Sequence, residues 1–279
     1  MKVKPLAISM RNGTLIPTDE ATIPVTASAL YGVLGVYETV EIVNGTPFRL
    51  MQHLARLDES ARRSGLTVMP PTDYVTEWWP TLLEANGQVE ETLLRIVLVD
   101  LDEGPATYYL YLMEPPHYPR EWYEYGVPVT VFHGERAFPL IKSLNTLVPG
   151  LARKKAESLG MHDALLVNRH GHVTEGSNCN VLAVVDGTLV APPYGAALEG
   201  VTMSIVLELA RDLGIPTERR PLPEEEIPRW EEAFLTSTRR HVLPIRLIDQ
   251  QEMTVGPITR QLMEAFATLF RTEVGEHGE

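Results

Sequence analysis

Short runs rich in β-branched and aromatic residues, separated by turn dipeptides, alternate along the chain with four stretches of helical periodicity. In the first half, residues 39–43 predict a strand, Asn44-Gly45 a tight hairpin turn, and Phe48-Arg49-Leu50 the return. Leu54, Leu57 and Ala61 then recur at helical spacing and predict a helix over 51–64, with Arg56, Arg62 and Arg63 elsewhere on its surface and Gly65 as its stop. Residues 92–99 and 107–113 read as paired strands. In the second half, strands are expected at 127–132, 164–167, 180–185 and 188–190, the last two joined by the Asp186-Gly187 turn. Helices are expected at 149–158, 202–213 and 258–270. The pattern is α/β of the α+β kind, built from antiparallel hairpins rather than repeated βαβ units.

The sharpest punctuation is Glu114-Pro115-Pro116-His117-Tyr118-Pro119-Arg120, with three prolines in five positions. Proline fixes its own φ and pushes the preceding residue toward extended geometry, so this stretch reads as a linker. It divides the chain into an N-terminal α/β domain, 1–117, and a C-terminal α/β domain, 118–279.

Composition narrows the function. The 24 basic against 37 acidic residues give a net charge of −13, which argues against sequence-independent binding to nucleic acid, since that needs a basic stripe to displace counterions. One cysteine, Cys179, forms no internal disulfide, and no Cys/His spacing suggests a structural metal site. No apolar stretch approaches ~18 residues, and no apolar signal-peptide core follows the N-terminal lysines, so the reading is a cytoplasmic protein away from membranes. No G-x-G-x-x-G follows a strand and no Walker-type lysine motif occurs, which removes the usual support for dinucleotides and nucleoside triphosphates.

Two residues carry candidate chemistry. Lys142, in Ile141-Lys142-Ser143-Leu144-Asn145, follows the apolar approach Ala137-Phe138-Pro139-Leu140. Such a lysine is ordinarily a snorkelling surface residue. Partial burial would instead depress its pKa, as a Schiff-base lysine requires. Glu175 lies in Val173-Thr174-Glu175-Gly176-Ser177-Asn178-Cys179-Asn180-Val181, between a β-rich run and a Gly/Ser/Asn turn. Taken alone it is a solvated turn glutamate.

Lys142 and this acidic segment together resemble the signature of the class IV, fold-type IV pyridoxal-phosphate enzymes, over nearly the whole chain from Gly35-Val36-Tyr37-Glu38-Thr39 to Leu243-Pro244-Ile245. The resemblance implies a two-domain, D-amino acid aminotransferase-like fold with pyridoxal 5'-phosphate between the domains, in a homodimer. It implies that Lys142 bonds to the cofactor aldehyde and moves the proton, and that Glu175 keeps the pyridine nitrogen protonated so that the ring acts as an electron sink. Arg49 matches the phosphate-binding arginine, a planar fork of donors suited to a phosphate. Gly200-Val201-Thr202 precedes a helix starting near Met203, so backbone N–H groups and the Thr202 hydroxyl can point at an anion, and Thr202 is equally a plain N-cap. Ser237 and Thr238 match the family's second hydroxyl segment. His53, Cys179 and Glu38 read as structural, without chemistry.

Substrate signals are mixed. The Ile-Lys-Ser-Leu-Asn run looks like D-amino acid transaminases, yet their Arg-x-His carboxylate trap is replaced by Asp100-Leu101-Asp102-Glu103-Gly104. Arg95 looks like the corresponding strand of branched-chain aminotransferases. Where small residues are usual after Thr238, Arg239-Arg240-His241 stand instead; the two arginines either trap a substrate carboxylate or point outward. Tyr31-Gly32-Val33-Leu34-Gly35 departs from the position of the usual pocket tyrosine. The expectation is a ping-pong aminotransferase acting on an amino acid and a 2-oxo acid, leaning to the D-amino acid type. The branched-chain L-amino acid enzyme is the alternative, followed by an aminodeoxychorismate-type pyruvate elimination.

Overall fold

The computed structural model describes residues 4–26, 35–87, 89–101 and 104–275. The chain divides into two compact units. The first comprises Met1–Pro116, Ile141–Asn145 and Phe270–Glu279, and the second His117–Leu140 and Thr146–Leu269. The cut after Pro116 falls inside the proline-rich segment. Lys142, expected in the 118–279 stretch, is grouped with the first unit.

In the first unit β1 (Pro5–Arg11), β2 (Thr14–Pro17), β3 (Gly35–Val43), β4 (Thr46–Pro47), β5 (Glu91–Val99) and β6 (Thr107–Met113) form a six-stranded sheet ordered β2-β1-β6-β5-β3-β4. The described pairs are antiparallel. β3 begins four residues before the expected strand because it pairs with β5 along its whole length, from Gly35 opposite Val99 to Val43 opposite Glu91. Asn44 and Gly45 have φ of 50° and 72°, the pair of left-handed values that a two-residue hairpin with the sheet's twist demands. Asn12 and Gly13 repeat the device between β1 and β2, at φ 47° and 80°.

Helix α1 (Leu50–Ser64) buries Leu54, Leu57 and Ala61 against Val36, Val40 and Ile42 of β3 and is closed by Gly65. The amphipathic stripe seen in the sequence is therefore the face laid on the sheet. Helix α2 (Val75–Ala85) was not legible, because Pro80 and the neighbouring Trp78 and Trp79 disguise its period. It is held by burial of Val75, Leu82 and Leu83.

The second unit contains α3 (Arg120–Tyr125), β7 (Val127–His133), α4 (Leu147–Ser158), β8 (Asp163–Val167), β9 (His172–Gly176), β10 (Asn180–Val185), β11 (Thr188–Ala191), α5 (Val201–Asp212), β12 (Thr217–Arg219), β13 (Leu222–Pro223), β14 (Glu232–Ser237), β15 (His241–Ile248) and β16 (Gln251–Glu252). These strands form a ten-stranded sheet in the order β12-β11-β10-β14-β15-β7-β8-β9-β13, with β16 on β15. Beside the expected hairpins the sheet holds parallel pairs. β7 and β8 are parallel and joined through α4, a βαβ unit, and β15–β7 and β11–β12 are parallel as well. The small Ala152 and Ala156 of α4 let it settle on Ala164 and Leu166 of β8.

The last helix, α6 (Pro257–Glu273), is started by the Glu232 carboxylate, which accepts hydrogen bonds from the backbone N–H of Ile258 (3.2 Å) and Thr259 (2.6 Å). From Phe270 onward it is grouped with the first unit, where the Phe270 ring centroid lies 4.8 Å from that of Phe48. No described helix is long and apolar enough to cross a membrane.

Candidate active site

In the first unit the Lys142 segment runs alongside the start of β3. The Lys142 N–H donates to Ser60 Oγ (3.2 Å), its carbonyl accepts from the Tyr37 N–H (3.0 Å), and the Leu144 N–H donates to the Gly35 carbonyl (2.9 Å). Ser143 pairs with Val36 between those contacts. This backbone registration fixes where the lysine side chain starts. Lys142 Nζ stands over the Tyr37 ring at 4.9 Å from its centroid, and Arg95 Cζ stands over the same ring at 4.7 Å. A cation over an aromatic face gains ~0.5–2 kcal/mol, more as water is excluded. Arg95 Nε is buried with no hydrogen-bond partner.

Tyr37 was missed. Tyr31, whose position departs from the family's pocket tyrosine, lies outside the described residues along with Asp102 and Glu103, whereas Tyr37 stands within the Gly35-Val36-Tyr37-Glu38-Thr39 motif.

Alternation along β3 sends Glu38 to the opposite side from Tyr37. Glu38 is fully buried and accepts hydrogen bonds from Arg56 Nε (2.6 Å) and Nη2 (2.9 Å) and shares one with His53 Nδ1 (2.9 Å). Burial alone would raise its pKa, but the Arg56 charge and the bonds from His53 and Arg56 outweigh that and hold the carboxyl well below its ordinary range. Burial lowers the pKa of His53 against the opposing pull of Glu38. Through these bonds the two residues pin α1 to the strand that carries Tyr37.

Arg49 sits at the start of α1 with φ 55° and ψ 35°. Its Nη2 donates to Glu273 Oε1 at 2.6 Å, while Nε is buried and has no partner.

In the second unit Glu175, on β9, is buried, with the Leu198 N–H 3.5 Å from Oε2 and Arg136 Nη1 3.6 Å from Oε1. The turn after it is tight. The Gly176 N–H donates to the Cys179 carbonyl (2.8 Å), and a Cβ at Gly176 would come within 2.3 Å of Cys179 Sγ. Cys179 is itself buried, which pushes its thiol pKa up and leaves it unreactive.

Val201 and Thr202 form the buried first turn of α5, whose cap, Gly200, brings no side-chain hydrogen bond to the helix. A Cβ at Gly200 would meet Asn180 Oδ1 at 1.9 Å, and Asn180 Nδ2 donates to the Leu198 carbonyl at 2.7 Å. Asn180 thus stitches the approach to α5 onto β10. Helix amides at such an N-terminus favour an anion.

Thr238, Arg239 and Arg240 make the three-residue connection from β14 to β15. Ser237, Thr238 and Arg239 are half-buried. Arg240 does not point outward: it is 3% exposed, and its Nη1 pairs with Asp163 Oδ2 (2.9 Å) and donates to Asn178 Oδ1 (2.9 Å).

Among these features, the partnerless Nε of Arg49 and the uncapped start of α5 each fit a phosphate. The buried Glu175 carboxylate fits a protonated ring nitrogen, and Lys142 over Tyr37 fits an aldehyde-bonding amine. Each of these features, taken within its own unit, suits one part of pyridoxal phosphate.

The class IV amino-transferase family model matches residues 35–248, most of the chain, and the protein belongs to that family and is an enzyme. The branched-chain-amino-acid aminotransferase of Escherichia coli is 26% identical over 285 residues, covering 94% of this chain and 92% of that protein. The branched-chain aminotransferase of Thermoproteus uzoniensis with norvaline superposes with a TM-score of 0.88 at 28% identity, covering 99% of this chain and 96% of that one. The branched-chain amino acid aminotransferase of Thermobaculum terrenum in its PLP form gives a TM-score of 0.85 at 26% identity, covering 98% and 96%.

Proposed function

We propose that the protein is a pyridoxal-phosphate-dependent aminotransferase of the branched-chain L-amino acid type, moving an amino group between an amino acid and a 2-oxo acid. The cofactor supplies an aldehyde to bond the amine and a ring that takes up negative charge from the substrate carbon. Lys142 bonds the cofactor and afterwards takes and returns the substrate proton. Glu175 holds a proton on the ring nitrogen, and a glutamine there would keep the shape and lose the charge. Arg49, Val201, Thr202, Ser237 and Thr238 grip the phosphate, and Arg95 and Arg239 serve the substrate carboxylate.

The observation that carries the reading is the Tyr37 ring with Lys142 Nζ 4.9 Å and Arg95 Cζ 4.7 Å from its centroid, an amine and a guanidinium gathered about one aromatic ring. The relatives named above favour the branched-chain donor over the D-amino acid donor towards which the Ile-Lys-Ser-Leu-Asn run leans. The exposed Phe138, Leu147 and Leu151 of the second unit support a homodimer; a single monomeric peak in size-exclusion chromatography would remove the dimer.

The visible spectrum of the purified protein, followed on adding L-leucine, D-alanine or L-glutamate separately, tests the assignment. L-leucine is expected to convert the absorbing form to the pyridoxamine form, and Lys142→Ala to lack the starting band. Conversion by D-alanine alone would return the D-amino acid reading, and pyruvate release without a 2-oxo acid would favour the lyase. A protein that stays colourless with added pyridoxal phosphate sinks all three. Glu175→Gln should keep the band and lose about tenfold or more in kcat, the scale of a misplaced proton-transfer partner.

A further inference from the structure

Asp163, at the first position of β8, is fully buried and receives hydrogen bonds from two turns that are distant in sequence. Its Oδ1 accepts from the Ser177 N–H (3.0 Å) and the Ala164 N–H (2.8 Å). Its Oδ2 pairs with Arg240 Nη1 at 2.9 Å. Arg240 closes the triangle by donating to Asn178 Oδ1 at 2.9 Å. One turn follows Glu175 by two residues; the other follows Ser237 and contains Thr238. Arg240 is further fixed through its backbone, since its N–H reaches Ser237 Oγ (3.4 Å) and its carbonyl accepts from the Tyr123 hydroxyl (3.3 Å).

A guanidinium held this way offers little to a substrate carboxylate, because Asp163 already neutralises its charge and its Nη1 is committed to Asp163 and Asn178. We propose that Asp163 and Arg240 are positioning residues: a buried strut that sets the Glu175 turn and the Ser237–Thr238 turn as one body. The role of the strut towards the cofactor rests on the assignment of Glu175 and Thr238 above. A carboxylate with two acceptor oxygens suits the task, since it takes a backbone amide on one oxygen and a guanidinium on the other. Coupling of this kind requires that a change in one turn be felt in the other.

The test replaces Arg240 and reads the opposite turn. Arg240→Met removes the charge. Asp163→Asn/Arg240→Met removes both charges and keeps the protein testable if the single variant does not fold. Hydrogen exchange is followed in the cofactor-free protein. The expected result is exchange over 176–180 faster by about tenfold, a coupling of ordinary size, with β10 and β15 protected as before. In the loaded protein, the dissociation constant for pyridoxal phosphate should rise by about tenfold and the pH midpoint of the visible band should move. Arg240→Lys, which keeps the charge without the fork, should recover part of each. Folded variants with unchanged exchange over 176–180 would overturn the coupling. Accelerated exchange with wild-type cofactor affinity and pH midpoint would overturn the positioning role. If the wild-type protein never shows a cofactor band, the aminotransferase reading fails by itself, and the exchange data still decide whether the turns are coupled.

Discussion

Glu38 with Arg56 in the first unit and Asp163 with Arg240 in the second each bury a carboxylate against a guanidinium, and the two pairs are built differently. Glu38 takes its partners from the adjacent helix: His53 and Arg56 lie 15 and 18 residues along the chain. Asp163 takes one partner 14 residues away, at Ser177, and another at Arg240, 77 residues from it (240 − 163). Arg56 keeps 13% of its side chain in contact with water, Arg240 only 3%. The first pair fastens a helix to the strand it already packs on. The second joins two turns that share no neighbouring element in sequence. Removing a partner from either leaves a buried charge, whose desolvation is no longer compensated. The exposure difference sets how far the survivor can escape to solvent.

Asp163→Ala should therefore show the largest loss, about 3–5 kcal/mol in urea unfolding. Glu38→Ala should cost less, about 2–3 kcal/mol, because Arg56 can turn outward to water. Equal or reversed losses would break the comparison. Next in size is recovery: the charge-free pair Asp163→Asn/Arg240→Met should return to within about 1 kcal/mol of wild type. The coupling between the two turns should stay lost in that same variant, which separates stability from positioning.

Acid comes third. Burial, helped by the Arg240 charge, lowers the pKa of His162 from 6.5 to about 4. A folded pKa below the unfolded one means that the unfolded chain binds the proton first. Stability is therefore whole above pH 6.5 and falls as the pH drops toward about 4. His53, lowered in the same direction by its burial, adds to that loss. Glu38 and Asp163, both held below the ordinary carboxylate range, extend it further down. His162→Phe preserves the ring packing against Trp122, whose centroid is 4.6 Å away. It should lessen the fall of the melting temperature between pH 6.5 and 4, leaving the share of His53, and an unchanged slope would remove His162 from the account. The smallest effect belongs to the surface. Glu59 bridges Arg62 and Arg63 in the open, so Glu59→Gln should leave the unfolding midpoint unmoved within error.

Local chemistry was well written in the chain. Asn44-Gly45 and Asp186-Gly187 marked hairpins because only a few residues accept two successive left-handed conformations, and both turns have them. The stripe of Leu54, Leu57 and Ala61 gave α1 within a residue of its observed limits. Lys142 and Glu175 stand out in the sequence through their motif segments, not through burial or charge. Helix α2 stayed hidden because proline and tryptophan carry weak helix preference, and its packing rather than its propensity holds it. The parallel strands β7 and β8 were hidden for a related reason: pairing direction is a property of the connection, and the alanine face of α4 declares itself only against Ala164 and Leu166.

The sequence by itself determined the hairpin turns, the face of α1 and the family, since each is written in short stretches of the chain. Tertiary structure alone decided that Lys142 belongs with the first unit beside Tyr37, and that Arg240 turns inward to Asp163 rather than out to water. A charged side chain takes whatever partner the fold brings within hydrogen-bond reach, and that partner stood 77 residues away (240 − 163).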